Sequence, residues 1–220
     1  MISNQILDFL SDLKQNNNKP WFELNKKKYI SANQSMQHWF ADLLSMINSF
    51  DILEITDSKK CMPRIYRDLR FSKDKTPYNP RLSLMVYRSK AQKKCNFYLH
   101  IEPGGGSFLG GGLYMPTSNQ LKLIRDDIDY NADGIKKVLT SELFIKSFNE
   151  LQGDKLIRMP KGYDPSHPDI ELLKLKQYLV IKHFTDEEVC LPNFKDEVIK
   201  HYKVALNLFF FFDRALNFKE

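Results

Sequence analysis

The sequence has little cysteine: Cys61, Cys95 and Cys190 are its only three, and they lie far apart with no Cys-x-x-Cys pair. An odd number of well-separated cysteines argues against a disulfide framework and against a zinc ribbon. It is typical of a protein that works in a reducing compartment. We therefore expect a cytoplasmic protein whose fold depends on its hydrophobic core.

The sequence also lacks a long apolar run. No stretch approaches the roughly 18–20 consecutive apolar residues that a membrane-spanning helix needs. The apolar patch at 208–212 is short and is followed by Asp213 and Arg214, which predicts a buried helix face. The first residues show no basic stretch leading into an apolar one, so we expect no secretory signal and no membrane partner.

Glycine is scarce except in one place, where six of the nine glycines fall within nine residues. These six are Gly104, Gly105, Gly106, Gly110, Gly111 and Gly112. One interpretation is a nest of backbone N–H groups that binds phosphate or carboxylate oxygens. The other is a bend or bulge at which neighbouring elements approach closely. The spacings of the phosphate-binding loop and of the dinucleotide-binding turn are both absent.

Positive charge is concentrated in one part of the chain. Residues 59–94 contain twelve basic and two acidic side chains, which gives this stretch a net charge of +10. The whole chain has a net charge of +6, so the rest of the chain has a net charge of −4. Such asymmetry indicates an anionic ligand or partner, or else a solvated basic face.

Hydrophobic periodicity predicts an α+β fold. Helical spacing predicts one helix after Ser3 and a second from Lys19 to about residue 50 with a break near Ser31, which together form an N-terminal helical hairpin. Period-two alternation predicts strands at 82–86 and 97–102, joined by a polar turn at 89–94.

Further elements follow the same rules. The pattern predicts a short strand at 64–67, a helix at 135–148, a strand at 178–181 and a last helix at 193–216. Thr117 and Gln120 have the spacing of a helix capping box. We therefore predict one domain, residues 1–220, with a central, mainly antiparallel sheet on which the helical hairpin and the C-terminal helices pack.

The second of these strands carries the best candidate for chemistry. Residues two apart on a strand share a face, so Tyr98, His100 and Glu102 should point the same way. We predict His100 and Glu102 as an acid–base pair, with Tyr98 contacting the ligand. The same pair could be two metal ligands or a polar surface pair, and we assign no metal site and no cofactor.

The segment from Arg64 to Tyr78 is the other candidate. Its predicted ligand-binding side chains are Arg64, Arg67, Arg70, Lys73, Lys75 and Tyr78. Arginine matches phosphate or carboxylate oxygens in pairs, and interleaved aromatic rings could stack on bases. Alternatively, Asp68 and Asp74 could hold the segment as a loop by ion pairs within it.

Several segments together resemble the DUF2461 family. They are 16–22 (Asn-Asn-Asn-Lys-Pro-Trp-Phe), 64–78, 98–105, 111–116 (Gly-Gly-Leu-Tyr-Met-Pro) and 160–164 (Pro-Lys-Gly-Tyr-Asp). The resemblance runs in order over residues 3–216 and implies one cytoplasmic domain found in bacteria and fungi, but no reaction. The chain departs from the family pattern at Asn79-Pro80-Arg81, where Lys-Thr is usual, and the third glycine of the first triplet is an addition.

The sequence thus leads to two functional expectations of different classes. The first is a pocket for a phosphate-bearing or other anionic ligand, formed by the glycine run and the segment 64–78, in which a phosphoester or nucleotide could be hydrolysed. The second is a non-enzymatic module that docks a protein or nucleic acid on its basic, aromatic face.

Overall fold

A computed structural model describes residues 1–88 and 95–217, and the polar turn predicted at 89–94 lies outside the described residues. Within those two ranges the chain forms ten helices and four strands. The helices are α1 (Asn4–Gln15), α2 (Lys19–Leu24), α3 (Lys26–Asn48), α4 (Ser58–Cys61), α5 (Ser118–Tyr130), α6 (Asp133–Leu139), α7 (Glu142–Phe148), α8 (Ile170–Leu173), α9 (Asp186–Cys190) and α10 (Phe194–Asn217).

The strands are β1 (Leu82–Val86), β2 (Asn96–Ile101), β3 (Ser107–Leu113) and β4 (Tyr178–Phe184). They form one antiparallel sheet in the order β1-β2-β3-β4, and the predicted α+β class is confirmed. The apolar residues of the alternation that predicted β1 and β2, Leu82, Leu84, Phe97 and Leu99, are all buried, and so are Ser83 and His100 on the polar face. No helix in the described ranges is both long and apolar enough to span a membrane.

The chain divides into two compact units, each made of three separate segments. Unit 1 comprises Met1–Tyr87, Tyr98–Leu109 and His183–Ile199. In unit 1, α1 packs against α3, and α3 and α4 pack against β1. The prediction of a single domain over residues 1–220 is not tested by this division and stays a prediction.

Unit 2 comprises Arg88–Phe97, Gly110–Lys182 and Lys200–Glu220. The ring of Phe97 on β2 packs against Tyr202 and Phe209 of α10, with centroids 4.3 and 5.9 Å away. A buried ion pair lies beside them, with Arg88 Nη1 2.9 Å from Asp213 Oδ2. Aromatic packing and this pair therefore join the first and third segments of unit 2, and the Tyr178 ring of the second segment packs on Phe212 with centroids 5.3 Å apart.

Two helix boundaries differ from the sequence predictions. The break after α2 falls at Asn25 and not near Ser31, because the Asn25 side chain donates to the Trp21 carbonyl (3.0 Å) and ends that helix. Residues 135–148 form two helices, since the Ser141 hydroxyl accepts a hydrogen bond from the Phe144 N–H and begins α7. The Thr117–Gln120 capping box at the start of α5 is confirmed.

The strand predicted at 64–67 is wrong. Only an isolated bridge between Tyr66 and Tyr78 is formed there. The side chains around it make ion pairs within their own loop, so the segment gains no second strand along its length.

Candidate functional site

Tyr98, His100 and Glu102 form a hydrogen-bonded row on one face of β2 and the residue after it. The Tyr98 hydroxyl lies 3.1 Å from His100 Nδ1, and His100 Nε2 lies 2.9 Å from Glu102 Oε2. The alternation of β2 predicts this shared face, and the hydrogen bonds place the three side chains in contact.

Two other elements extend the row. The Tyr98 hydroxyl is 2.8 Å from the Ser83 hydroxyl on β1. At the other end, the Lys14 ammonium group of α1 donates to Glu102 Oε1 at 2.9 Å. We call these five residues, Ser83, Tyr98, His100, Glu102 and Lys14, the Tyr98 row. All five belong to unit 1.

The surroundings of His100 favour its neutral form. Only 6% of the residue is exposed, and burial lowers its pKa. The hydrogen bond to Glu102 raises the pKa of His100 and the charge of Arg81 lowers it, with a net value below 6.5. The Glu102 carboxylate accepts from Nε2, so the proton lies on that nitrogen and Nδ1 presents a lone pair to Tyr98.

Glu102 is held as a carboxylate. Burial raises its pKa, but hydrogen bonds from Lys14 and His100 outweigh burial and bring the pKa below its ordinary value.

The imidazole of His100 also stacks on the ring of Phe108 of β3. The ring centroids are 4.7 Å apart and the planes are 18° apart. The imidazole is therefore fixed both in orientation and in tautomer.

The first glycine triplet forms the loop between β2 and β3. The N–H groups of Gly104 and Gly105 donate to the two carboxylate oxygens of Asp186, at 2.8 and 3.0 Å. Both glycines have positive φ, 80° and 71°, which turns their N–H groups toward one acceptor. Two N–H groups of the triplet thus converge on one carboxylate, and that carboxylate belongs to the chain itself.

The second triplet, Gly110–Gly112, lies inside β3. A Cβ on Gly111 would lie 2.5 Å from the Phe97 ring and 2.6 Å from the Phe209 ring. A Cβ on Gly112 would lie 2.2 Å from the Tyr178 carbonyl oxygen. The alternative interpretation, close approach of neighbouring elements, accounts for these glycines.

Three of the six predicted binding side chains of the segment 64–78 bond within that segment. Arg67 binds the Asp74 carboxylate and the Thr76 hydroxyl, and Arg70 Nη2 lies 2.6 Å from Asp68 Oδ2. Hydrogen bonds from Thr76 and Arg67 lower the pKa of Asp74 to about 2. The alternative of a loop held by its own Arg–Asp pairs is what the structure contains.

The remaining members of that segment differ in exposure. Lys75 donates to the Leu69 carbonyl at 3.0 Å. Tyr78 is 3% exposed, and its ring stacks on Phe22 with centroids 4.0 Å apart. Arg64 and Lys73 are exposed, and their charged groups make no hydrogen bond or ion pair within the described chain. Tyr78 is therefore a core residue, and two cations stay available.

The chain matches the family DUF2461, described as a conserved hypothetical protein, over residues 5–211. It belongs to that family. No curated protein and no solved structure matches it. Because the DUF2461 match spans nearly the whole chain, both the Tyr98 row and the loop at 64–78 lie within the family's boundaries.

Sequence reasoning missed three residues of this DUF2461 site. Ser83 and Lys14 complete the Tyr98 row, and Arg81 is an exposed cation whose charge acts on His100. The alternation of β1 does place Arg81 and Ser83 on one face, but the pairing of β1 with β2 was needed to bring them near Tyr98. Lys14 lies 88 residues from Glu102, and no local signal identifies it.

In this DUF2461 chain the polar groups of the Tyr98 row bond to one another. Among residues 1–88 and 95–217, no three His, Cys, Asp or Glu side chains are grouped so that they could hold a metal ion. His100 and Glu102 instead use their facing atoms for each other and for Tyr98 and Lys14. The arrangement is suited to moving a proton along the row.

Proposed function

We propose that this chain binds a phosphate-bearing or other anionic small ligand on the sheet face at Tyr98, where His100 and Glu102 supply acid–base chemistry. One observation carries the proposal. A buried, neutral His100 donates from Nε2 to the Glu102 carboxylate and turns its free Nδ1 lone pair toward the Tyr98 hydroxyl. Enzymes activate a weakly nucleophilic hydroxyl by placing a base beside it and a third group that orients the base.

The geometry supports different roles for the three side chains. Nε2 of His100 is already bound to Glu102, so the hydroxyl that His100 can deprotonate is that of Tyr98, whose one proton can go either to His100 Nδ1 or to the Ser83 hydroxyl. Glu102 would stabilise the imidazolium that forms, and Lys14 holds Glu102 in place. In this proposal Tyr98 contacts the ligand, His100 is its base, and Glu102 is a positioning residue.

Charge supports an anionic ligand. Arg81 immediately precedes β1, is exposed, and makes no hydrogen bond or ion pair within the described ranges, while its charge reaches His100. Its planar guanidinium matches phosphate oxygens in pairs. The N–H groups of Gly104 and Gly105 already donate to Asp186. Arg67 is already paired with Asp74, and Arg70 with Asp68. The proposal therefore places the ligand at Tyr98 and Arg81.

Hydrolysis of phosphoesters and nucleotides is the reaction to test first. Purified protein is assayed with p-nitrophenyl phosphate, bis(p-nitrophenyl) phosphate and a nucleotide set, alongside Tyr98→Phe and Arg81→Ala. We expect Tyr98→Phe to lower kcat by roughly 10²–10⁴-fold and Arg81→Ala to raise KM. The matched controls, Tyr130→Phe (92% exposed) and Arg158→Ala, should keep wild-type activity.

Two results would contradict this proposal. One is wild-type protein that neither hydrolyses these compounds nor is stabilised by any of them in a thermal melt. The other is a folded Tyr98→Phe variant with unchanged activity.

A second candidate function is favoured by the loop at 64–78. Phe71 is 95% exposed and Tyr66 is 55% exposed, between the uncompensated cations Arg64 and Lys73. Exposed rings among cations can stack on the bases of single-stranded nucleic acid. The test is fluorescence anisotropy with a labelled oligo(dT), in which affinity should fall linearly on a log–log plot against salt. Phe71→Ala should weaken binding, and the control Leu24→Ala (86% exposed) should not.

A further inference from the structure

We propose that a cavity of about 320 Å³ in unit 2 is a second anion site, which takes the phosphate group of a small ligand. One wall is the first half of α5, where Lys122, Arg125 and Asp126 share a helix face because they are spaced three and four residues apart. The opposite wall is the segment 156–163, which contributes Lys161 and Tyr163. The volume falls in the range of small-molecule sites.

The single carboxylate in the cavity wall is already satisfied. Asp126 Oδ2 accepts from the Lys122 ammonium group at 2.5 Å, and Oδ1 accepts from the Tyr163 hydroxyl at 2.7 Å. Burial and the bond to Asp126 raise the pKa of Tyr163 above its ordinary value, so the hydroxyl stays a donor. Asp126 therefore offsets Lys122 and fixes Tyr163, and it leaves the other two cations uncompensated.

Arg125 is the central cation of the site. Its Nε donates to the Leu173 carbonyl at 2.7 Å and its Nη2 to the Leu175 carbonyl at 2.9 Å. These carbonyls hold the guanidinium in place but are uncharged, so its positive charge is not neutralised. A side-chain hydrogen bond also links Arg125 to Tyr178. A half-buried, positioned guanidinium whose charge is not neutralised is a preformed binding group for an oxyanion.

Lys161 supplies a second charge. It is exposed, lines the same cavity, and its ammonium group makes no hydrogen bond or ion pair within residues 1–88 and 95–217. The four charged side chains of the wall thus sum to a net charge of +2, three basic against one acidic. An arginine fork combined with a lysine point charge suits a phosphate group, whose oxygens accept from both. None of these residues belongs to the Tyr98 row.

The test is isothermal titration of the whole chain with inorganic phosphate and with pyrophosphate, at ionic strength held constant with sodium chloride. Amide NMR spectra of the same samples locate the binding. We expect saturable binding that shifts the amide signals of Ser118 and Gly162. Lys161→Ala should weaken the affinity by about tenfold or more, which corresponds to about 1.4 kcal/mol, and Lys137→Ala, the matched surface control, should not.

Arg125→Lys keeps the charge but removes the fork, and we expect it to weaken binding as well. If that variant fails to fold, Lys161→Ala decides, because Lys161 is exposed and makes no bond that the fold needs. Non-saturable binding, or equal affinity in Lys161→Ala and wild type, would overturn the proposal. So would shifts confined to the amides of the Tyr98 row. Tyr98→Phe should leave the shifts of Ser118 and Gly162 unchanged, so the two proposed sites can fail independently.

Discussion

At the scale of single residues, His100 is subject to three influences on its pKa that separate substitutions can probe. Burial and the charge of Arg81 lower the pKa, and the hydrogen bond to Glu102 raises it. We expect NMR titration to give wild-type His100 a pKa below 6.5. Glu102→Gln should lower that pKa further, and Arg81→Ala should raise it. Shifts in the same direction from both variants would contradict the assigned contacts.

The lowered pKa of His100 makes stability depend on pH. The unfolded chain binds a proton at this histidine more readily than the folded chain does, so the free energy of unfolding rises with pH. The contribution of His100 to stability is fully present above about pH 6.5, and it is lost as the pH falls through the pKa of the folded state. In urea denaturation, wild type should lose stability between pH 7 and pH 5, and His100→Gln should lose less. Glu102, whose pKa is lowered from 4.5, acts in a more acidic range.

Substitutions at Gly104 and Gly106 should have different effects, one on the backbone conformation of the loop and the other on the position of Glu102. A Cβ on Gly106 would lie 3.1 Å from Glu102 Cγ, so Gly106→Ala should displace Glu102 and change the pKa of His100. A Cβ on Gly104 would meet nothing within 4 Å, but φ is +80°. Gly104→Ala should therefore cost about 1–2 kcal/mol of stability and leave the pKa of His100 unchanged. Urea denaturation and NMR titration measure the two effects.

At the scale of elements, the loop between β2 and β3 is held by the start of α9. Asp186 accepts hydrogen bonds from Gly104 and Gly105, 82 and 81 residues away in sequence. We expect Asp186→Ala to lower the free energy of unfolding by about 1–3 kcal/mol and to speed hydrogen exchange of both amides. Glu187→Ala removes the same charge from the same turn and should do neither. Equal effects from the two substitutions would mean that net charge, and not the nest, holds the loop.

The elements also show what local sequence could predict. The Thr117–Gln120 capping box and the shared face of Tyr98, His100 and Glu102 depend on residues two or three apart, and the structure contains both. Local sequence patterns could not predict the contacts that join distant segments. Lys14 with Glu102 and Asp186 with Gly104 depend on the packing of whole elements, and Ser83 with Tyr98 depends on the pairing of β1 with β2.

The error at 64–67 has the same kind of cause. Arg64, Tyr66 and Asp68 alternate along the chain as strand residues do, which favoured a strand. A strand also needs a partner along its length, and here the backbone pairs at Tyr66 and Tyr78 alone while Arg67 bonds to Asp74. Side-chain pairing inside the loop outweighed the local pattern, and no single-residue preference contains that information.

At the scale of the whole molecule, the order of segments along the chain predicts how it tolerates division. Each unit is assembled from three segments that are separated in sequence, so a single cut anywhere within residues 88–199 divides both units. A cut after Leu109 takes residues 183–199 from unit 1, including Phe194, whose ring stacks on Trp39 at 5.7 Å. The same cut takes residues 88–97 from unit 2 and leaves the buried Asp213 without Arg88.

We therefore expect the fragments 1–109 and 110–220, produced separately, to be unfolded, whereas the intact chain folds. Leaving one member of a buried ion pair without its partner costs about 3–5 kcal/mol, which is a large share of the stability of an ordinary domain. Amide NMR spectra and circular dichroism of each fragment, and of an equimolar mixture, make the measurement. Mixing should restore dispersed amide signals, because the mixture again contains all three segments of each unit. Either fragment folding cooperatively alone would show that the missing segments are dispensable, and the three-segment description of that unit would be wrong.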